Sequence, residues 1–172
     1  MQPVAVLASG GLDSSILLAE LAQNRDVFPI YVSSGLSWEA EEFRALRSFV
    51  FALDFPRVAE PVTLSINNSD IYGSHWSING SPPGADDPDS AVYLPGRNIF
   101  LISAAAVWGN INGVSCIAIG SLAGNPFPDA SREFFLMMGK VLSKGLAGSI
   151  EVIAPYLGST KEDIIRANRE LP

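Results

Sequence analysis

The 172-residue chain is 48% hydrophobic and 17% charged, with a mean hydropathy of +0.25, which lets it bury enough apolar surface to fold as one domain over residues 1–172 and excludes disorder as its main state. With 11 basic against 18 acidic side chains and a net charge of −7, it is not built to coat a nucleic acid, whose phosphates are held by clustered cations. No apolar run approaches the roughly 20 residues of a membrane span and no basic, cleavable leader opens the chain, so no membrane partner and a cytoplasmic location are expected; a single cysteine, Cys116, excludes an intrachain disulfide and a cysteine-rich zinc cage.

Residues 3–8 (PVAVLA) form a short apolar run that ends at Ser9-Gly10-Gly11, the pattern of a buried strand feeding a tight turn. Residues 14–24 carry helix formers with apolar side chains at Ile16, Leu17, Leu18 and Leu21. A second strand is expected over 27–32. A helix follows over 38–53, with Phe43, Leu46, Val50 and Leu53 on one face and Glu39, Glu41, Glu42 and Arg44 mostly off it. A third strand is expected over 61–66.

Residues 67–93 break the alternation with Gly, Pro, Ser, Asn and Asp throughout, and residues 61–95 hold four acids and no Lys or Arg. A segment of that length suits either a mobile lid over a cleft, with His75 and Trp76 as its most distinctive side chains, or a solvated insertion with a few anchoring aromatics. Regular structure resumes with an apolar, Ala-rich helix over 97–112, expected to be buried on much of its surface, and a strand over 114–120. A loop over 121–131, a helix over 132–145, a strand over 150–155 and a helix over 159–170 complete the chain. Ser159-x-x-Glu162 fits a capping box for the last helix. The alternation predicts an α/β fold, a doubly wound, mostly parallel five-stranded sheet with helices on both faces.

The chemistry-bearing stretch is Ser9-Gly10-Gly11-Leu12-Asp13-Ser14-Ser15, between the first strand and first helix. Glycines there let the backbone approach a phosphate, and the helix N-terminus offers free N–H groups and a favourable dipole. Ser9, Ser14 and Ser15 add hydroxyls. Asp13 suits such a site only with a cation between it and the phosphates, which assigns it to Mg²⁺. A nucleotide with a divalent metal is the expected ligand. No Lys follows the glycines, and the first Lys in the chain is Lys140, which disfavours a γ-phosphoryl kinase. The two glycines are adjacent, which disfavours a dinucleotide fold.

Ser9 to Ser15 resembles the SGGxDS loop of the N-type ATP pyrophosphatases, which cleave ATP between the α and β phosphates and adenylate a substrate. Three further stretches narrow the resemblance to 7-cyano-7-deazaguanine synthases. Tyr93-Leu94-Pro95-Gly96-Arg97-Asn98 is similar to their V-P-G-R-N segment. Ile119-Gly120 with Phe127-Pro128-Asp129 and Arg132-Glu133-Phe134 is similar to I-G … Y-P-D-C-R-x-E-F, and Thr160 to Ile164 to T-K-x-[DE]-I. Together they span residues 4–165 in the family's order.

The resemblance implies a fold like that of the adenine nucleotide alpha hydrolases, ATP and Mg²⁺ as cofactors, and the carboxylate of 7-carboxy-7-deazaguanine with ammonia as substrates, in the route to queuosine-type bases. Arg97 suits a phosphate or a substrate carboxylate. Lys161, a cation at the unfavourable end of a helix, is expected to meet the pyrophosphate. Asp129, in a loop after a strand, is expected to read the N–H edge of a deazapurine. Cys116 is expected to be an inert core thiol, and His75 a loop side chain.

The chain also departs from the family. It lacks the C-terminal Cys segment that holds zinc in relatives, so no zinc site is expected here. P-D-C-R becomes Pro128-Asp129-Ala130-Ser131-Arg132, and the stretch after Tyr31 lacks Y-G-Q-x-H. Two alternatives stay open: an ATP pyrophosphatase with another acceptor, tRNA-modifying or of the amidotransferase type, and a nucleotide-binding regulatory module. One strand-embedded cysteine argues against tRNA thiolation, which needs persulfide-carrying thiols. A homodimer, the commonest closed assembly, is expected, with helix 97–112 or the Phe134–Met138 cluster as its face.

Overall fold

Four residues that are apolar on both sides, Val4 to Leu7, can only be a strand covered on both faces. They are the centre of the molecule. The computed structural model describes residues 1–84 and 86–171. Within them β1 (Val4–Leu7), β2 (Val27–Ser33), β3 (Val62–Ser65), β4 (Cys116–Ile119) and β5 (Glu151–Ile153) form one sheet in the order β3-β2-β1-β4-β5, every pair parallel. Val4 lies opposite Val27 on one side and Cys116 on the other.

Alternate residues of β1 feed two separate cores. Val4 and Val6 pack with Leu17 and Leu18 of α1 (Leu12–Ala22), Leu46 and Leu53 of α2 (Glu39–Leu53), and Ile164 further along the chain. Ala5 and Leu7 pack on the other face with Ile102, Ala105, Phe135 and Leu142. The expected doubly wound architecture is therefore present, with an all-parallel sheet.

Residues 67–93 are less irregular than expected. Three one-turn helices lie in them: α3 (Ser69–Tyr72), α4 (Trp76–Asn79) and α5 (Asp89–Val92); Ala85 of this stretch lies outside the described residues. The segment is anchored on α2's start, where Trp76 stacks on Trp38 at 5.1 Å and the Ser37 amide donates to the Ser77 carbonyl at 2.9 Å. His75 caps α4 by accepting from the Ser77 amide. Local Gly and Ser content masked α4, which is fixed by these contacts distant in sequence, and α3, whose N-cap Asn68 donates its amide to the Ser34 carbonyl at 3.1 Å.

The second half supplies α6 (Arg97–Ile111), a 3₁₀ turn at Pro128–Ala130, α7 (Arg132–Gly145) and α8 (Lys161–Ala167). Three expectations are corrected. First, α1 begins at Leu12, two residues before the expected Ser14, so Asp13 sits in its first turn. Second, α8 is capped one residue later than expected: Thr160 is the N-cap, and Thr160 with Asp163 forms the capping box, because Thr160 takes the extended backbone a cap requires and its hydroxyl accepts from the Asp163 amide. Third, α6 buries Ile102, Ala105, Ala106 and Gly109 while Ile99, Val107 and Ile111 remain exposed, so only one side of it meets the sheet. In the aromatic cluster of α7, Phe135 enters the core and Leu136 and Met137 face outward. Cys116 is fully buried, and burial pushes its thiol up, as expected of a core thiol. No helix among the described residues is long and apolar enough to cross a membrane.

Candidate functional site

In an open parallel sheet, ligands settle beyond the carboxyl ends of the strands where the chain reverses its winding direction. Here that point lies between β1 and β4, which are neighbours although more than a hundred residues separate them. The loop Ser9-Gly10-Gly11 leaves β1 at this point. A cleft of about 220 Å³ opens there, lined by Ser9, Gly11, Asp13 and Ser14, by Tyr31 and Glu42, by Arg97 and Asn98, and by Ile119 and Gly120. A larger groove of about 910 Å³ runs between α7 and β5, but it touches none of the sequence-predicted site residues, so the smaller cleft is the candidate site.

The two glycines of the loop are needed for different reasons. Gly10 has φ +76°, and a Cβ there would lie 2.5 Å from the Leu46 amide nitrogen and 2.7 Å from the Glu42 carbonyl, so α2 lies directly against it. Gly11 is the N-cap of α1 with φ −73°, and a Cβ there would meet only Ser9 Oγ, at 3.5 Å. No side chain caps α1, unlike α7, capped by Ser131, and α8, capped by Thr160. The first-turn N–H groups of α1 are thus left for a ligand, at the positive end of the helix. Gly120, directly after β4, brings the opposite wall within 3.3 Å of the Asp13 backbone, measured from where its Cβ would be.

The Ser14 hydroxyl lies inside the loop, donating to the Gly11 carbonyl at 3.0 Å and accepting from the Ser9 amide at 3.4 Å. Ser15, expected to contribute a hydroxyl, is buried and is not among the residues lining the cleft. Asp13 lines the cleft, and its Oδ1 has no hydrogen bond. The Lys161 ammonium stands 3.6 Å from that oxygen. A cation at the start of α8 thus meets an anion in this structure, and the anion is Asp13.

Arg97 opens α6 after Gly96, which takes φ +72°, and points its guanidinium into the cleft with Nε buried and unpartnered. Asp129 does not line the cleft. It is buried, its Oδ2 accepts from the Asn98 amide at 3.0 Å, and its carbonyl accepts from Asn98 Nδ2 at 2.8 Å. One carboxylate oxygen expected to meet an acceptor's N–H edge is therefore already taken, and it braces the first turn of the helix that carries Arg97. Ser121 Oγ, directly after Gly120, is also buried without a partner. Buried polar atoms are normally satisfied, so unpartnered atoms on Asp13 and Arg97, both lining one cleft, mark where polar groups of a ligand belong.

Two acids of α2 were placed off the apolar face in the sequence, and both turn inward. Glu39 accepts from Ser33 Oγ at 2.7 Å, from the Leu36 amide at 3.0 Å and from the Ser34 amide, holding the turn after β2. Glu42 lines the cleft, with the Tyr31 hydroxyl 3.2 Å from its Oε2. Burial raises the Glu42 carboxyl above the usual range, and the Arg97 charge works against that rise. Burial and the same two acids push the Tyr31 phenol up as well, keeping it protonated. The sequence signal was the i, i+3 spacing of Glu39 and Glu42, one helix face, right after a strand end.

A family model described as "Queuosine biosynthesis protein QueC" matches residues 3–172. The chain is 29% identical over 166 residues to "7-cyano-7-deazaguanine synthase 1" of Desulfitobacterium hafniense, covering 94% of this chain and 74% of that one. It is 30% identical over 184 residues to the 7-cyano-7-deazaguanine synthase of Kineococcus radiotolerans, covering 99% of this chain and 79% of that one. Among solved structures, a chain titled a predicted subunit of tRNA methyltransferase from Methanocaldococcus jannaschii superposes with a TM-score of 0.62 at 17% identity, over 99% of this chain and 75% of that one. That likeness establishes the α/β fold.

Proposed function

Since this chain belongs to the queuosine biosynthesis protein QueC family, we propose that it is an ATP-dependent carbon–nitrogen ligase that adenylates a deazapurine carboxylate. By similarity the carboxylate is that of 7-carboxy-7-deazaguanine; ammonia converts the adenylate to an amide with release of AMP, and the amide is then dehydrated, losing water, to a nitrile. The observation that carries this reading is the convergence at one switch point of an uncapped helix N-terminus, the Oδ1 of Asp13, which has no hydrogen bond and only the ion pair to the Lys161 ammonium, and the unpartnered Nε of Arg97.

A carboxylate resists attack because oxide is a poor leaving group, and attachment to AMP replaces it with a good one. The transition state gathers negative charge on the α-phosphate and the departing pyrophosphate, which preorganised donors stabilise. The first-turn amides of α1 and the Ser9 hydroxyl bind phosphate oxygens. Arg97 orients the α-phosphate or the acceptor carboxylate with its forked guanidinium. Lys161 follows the pyrophosphate as its charge develops. Asp129, by bracing Asn98, keeps Arg97 aimed.

Mg²⁺ fits these residues. Among the described residues no three His, Cys, Asp or Glu side chains gather to cage a metal, and Mg²⁺ typically takes one or two carboxylates and completes its shell with phosphate oxygens and water. Asp13 Oδ1 would hold it, and when bound it supplies charge neutralisation at the phosphates.

The test is isotope exchange between pyrophosphate and ATP, which adenylation alone supports. Exchange that depends on added 7-carboxy-7-deazaguanine is the expected result. Exchange with no carboxylate tested, or ADP as the primary product, would overturn the reading.

A further inference from the structure

We propose that Glu42 is the ammonium seat of this site, holding NH₄⁺ against its carboxylate and taking its proton before nitrogen attacks the adenylated carbon. This rests on the ligase reading above and deepens it by naming where the second substrate binds.

The geometry begins with position. Glu42 lines the same cleft as Ser9, Asp13 and Arg97, and its own backbone carbonyl lies against Gly10 of the phosphate-binding loop. Its carboxylate is therefore in fixed register with the loop on which the adenylate would form. The Tyr31 hydroxyl, 3.2 Å from Oε2, orients it. What distinguishes Glu42 is that its carboxylate is met by neutral side-chain donors alone, the Tyr31 hydroxyl and the Trp38 indole, whereas Glu39, one turn earlier, is consumed by Ser33, Ser34 and Leu36. Among the described residues the ion pair within 4 Å is Lys161 with Asp13, so Arg97 faces Glu42 across the cleft without closing on it. A half-buried carboxylate held away from solvent and from any paired cation is costly unless a cation arrives with the substrate.

The chemistry requires such a group. Near neutral pH ammonia is present mainly as NH₄⁺, which has no lone pair to attack with. A carboxylate that burial makes more basic both attracts the cation and accepts its proton. The proton passes from NH₄⁺ to Glu42, the freed lone pair forms the C–N bond at the acyl carbon, and the C–O bond to the phosphate breaks with its electron pair leaving on AMP. The second proton shed by nitrogen leaves with the AMP phosphate or to water. The charged and titratable groups facing Glu42 are Tyr31 from β2, Glu39 from its own helix and Arg97 from α6, with Asp13 of α1 in the same cleft. Burial holds the Tyr31 phenol protonated, and Glu39 is committed to the turn after β2.

Two measurements test the proposal. With wild-type protein, amide formation is followed from pH 6.5 to 8.5 at fixed, subsaturating total ammonium chloride. Capture of NH₄⁺ predicts a rate that changes little over this range, whereas capture of free NH₃ predicts a rise of about tenfold per pH unit; the steep rise would overturn the proposal. With Glu42→Gln, which retains the Tyr31 hydrogen bond, acceptor-dependent ATP–pyrophosphate exchange should persist within a few-fold while amide formation falls on the order of a hundredfold or more. Amide formation at the wild-type rate, or loss of exchange and amide together in a variant that melts like wild type, would overturn it. Absence of exchange in the wild-type protein would instead remove the ligase reading itself, and the two failures are thereby distinct.

Discussion

Asp13 and Lys161 face each other at 3.6 Å across the mouth of the cleft, with Lys161 more than half exposed, and an ion pair so open to water contributes little to stability. On the proposed reading its interest is functional, because a nucleotide with its metal would exchange this contact for two new ones. Lys161→Met keeps the aliphatic stem and removes the charge. Its melting temperature should stay within a degree or two of wild type, kcat should fall on the order of a hundredfold, and ATP affinity should change much less, since the contact strengthens mainly in the transition state. Steady-state kinetics with calorimetric ATP binding checks this, and a wild-type kcat would return Lys161 to the surface. Asp13→Ala should abolish Mg²⁺-dependent ATP binding while the circular dichroism spectrum is retained; metal-dependent binding of wild-type affinity would remove Asp13 from the site.

At the level of elements, the loop is built by two adjacent glycines whose substitutions should separate fold from function. Gly10→Ala places a methyl against the α2 backbone and forces a left-handed φ on alanine, so it should destabilise the protein by roughly 2 kcal/mol or more in chemical denaturation. Gly11→Ala meets only a serine hydroxyl at 3.5 Å and should melt nearly like wild type, yet weaken ATP binding, because its Cβ stands where a phosphate approaches. Equal stability of the two variants would refute this assignment. Thr160→Ala removes the capping box of α8 and should cost about 1 kcal/mol. Much of this was legible beforehand. Strand, loop and helix around Ser9 to Ser15 follow from a six-residue apolar run, two glycines and a helical period, all local signals. The inward turn of Glu39 and Glu42 was not, because acids beside an apolar stripe ordinarily face water, and only the return of α2 onto Gly10 shows that this side is covered. The bracing contact of Asp129 was illegible for the same reason: its partner, the Asn98 amide, is 31 residues away.

For the whole molecule, the charge of −7 and a site that gathers Arg97, Lys161 and a helix N-terminus are compatible, since a local positive focus attracts phosphates even on an acidic surface. Turnover by the intact protein should release AMP and pyrophosphate, as no lysine addresses a γ-phosphate from the loop; chromatography showing ADP and inorganic phosphate first would contradict this. The fold class was legible at this scale as well, because alternating strand and helix periods admit few architectures, but the neighbour of β1 across the sheet was not, since pairing order leaves no mark on local periodicity. That pairing bears on how the protein is made. Val4 is zipped to Cys116 and Leu7 to Ile119, so the loop that follows β1 waits for its opposite wall until more than a hundred further residues have been synthesised. At about 5–20 residues per second, the nascent loop spends seconds beside an unzipped, wholly apolar strand edge, a window in which a chaperone rather than a nucleotide is its natural companion.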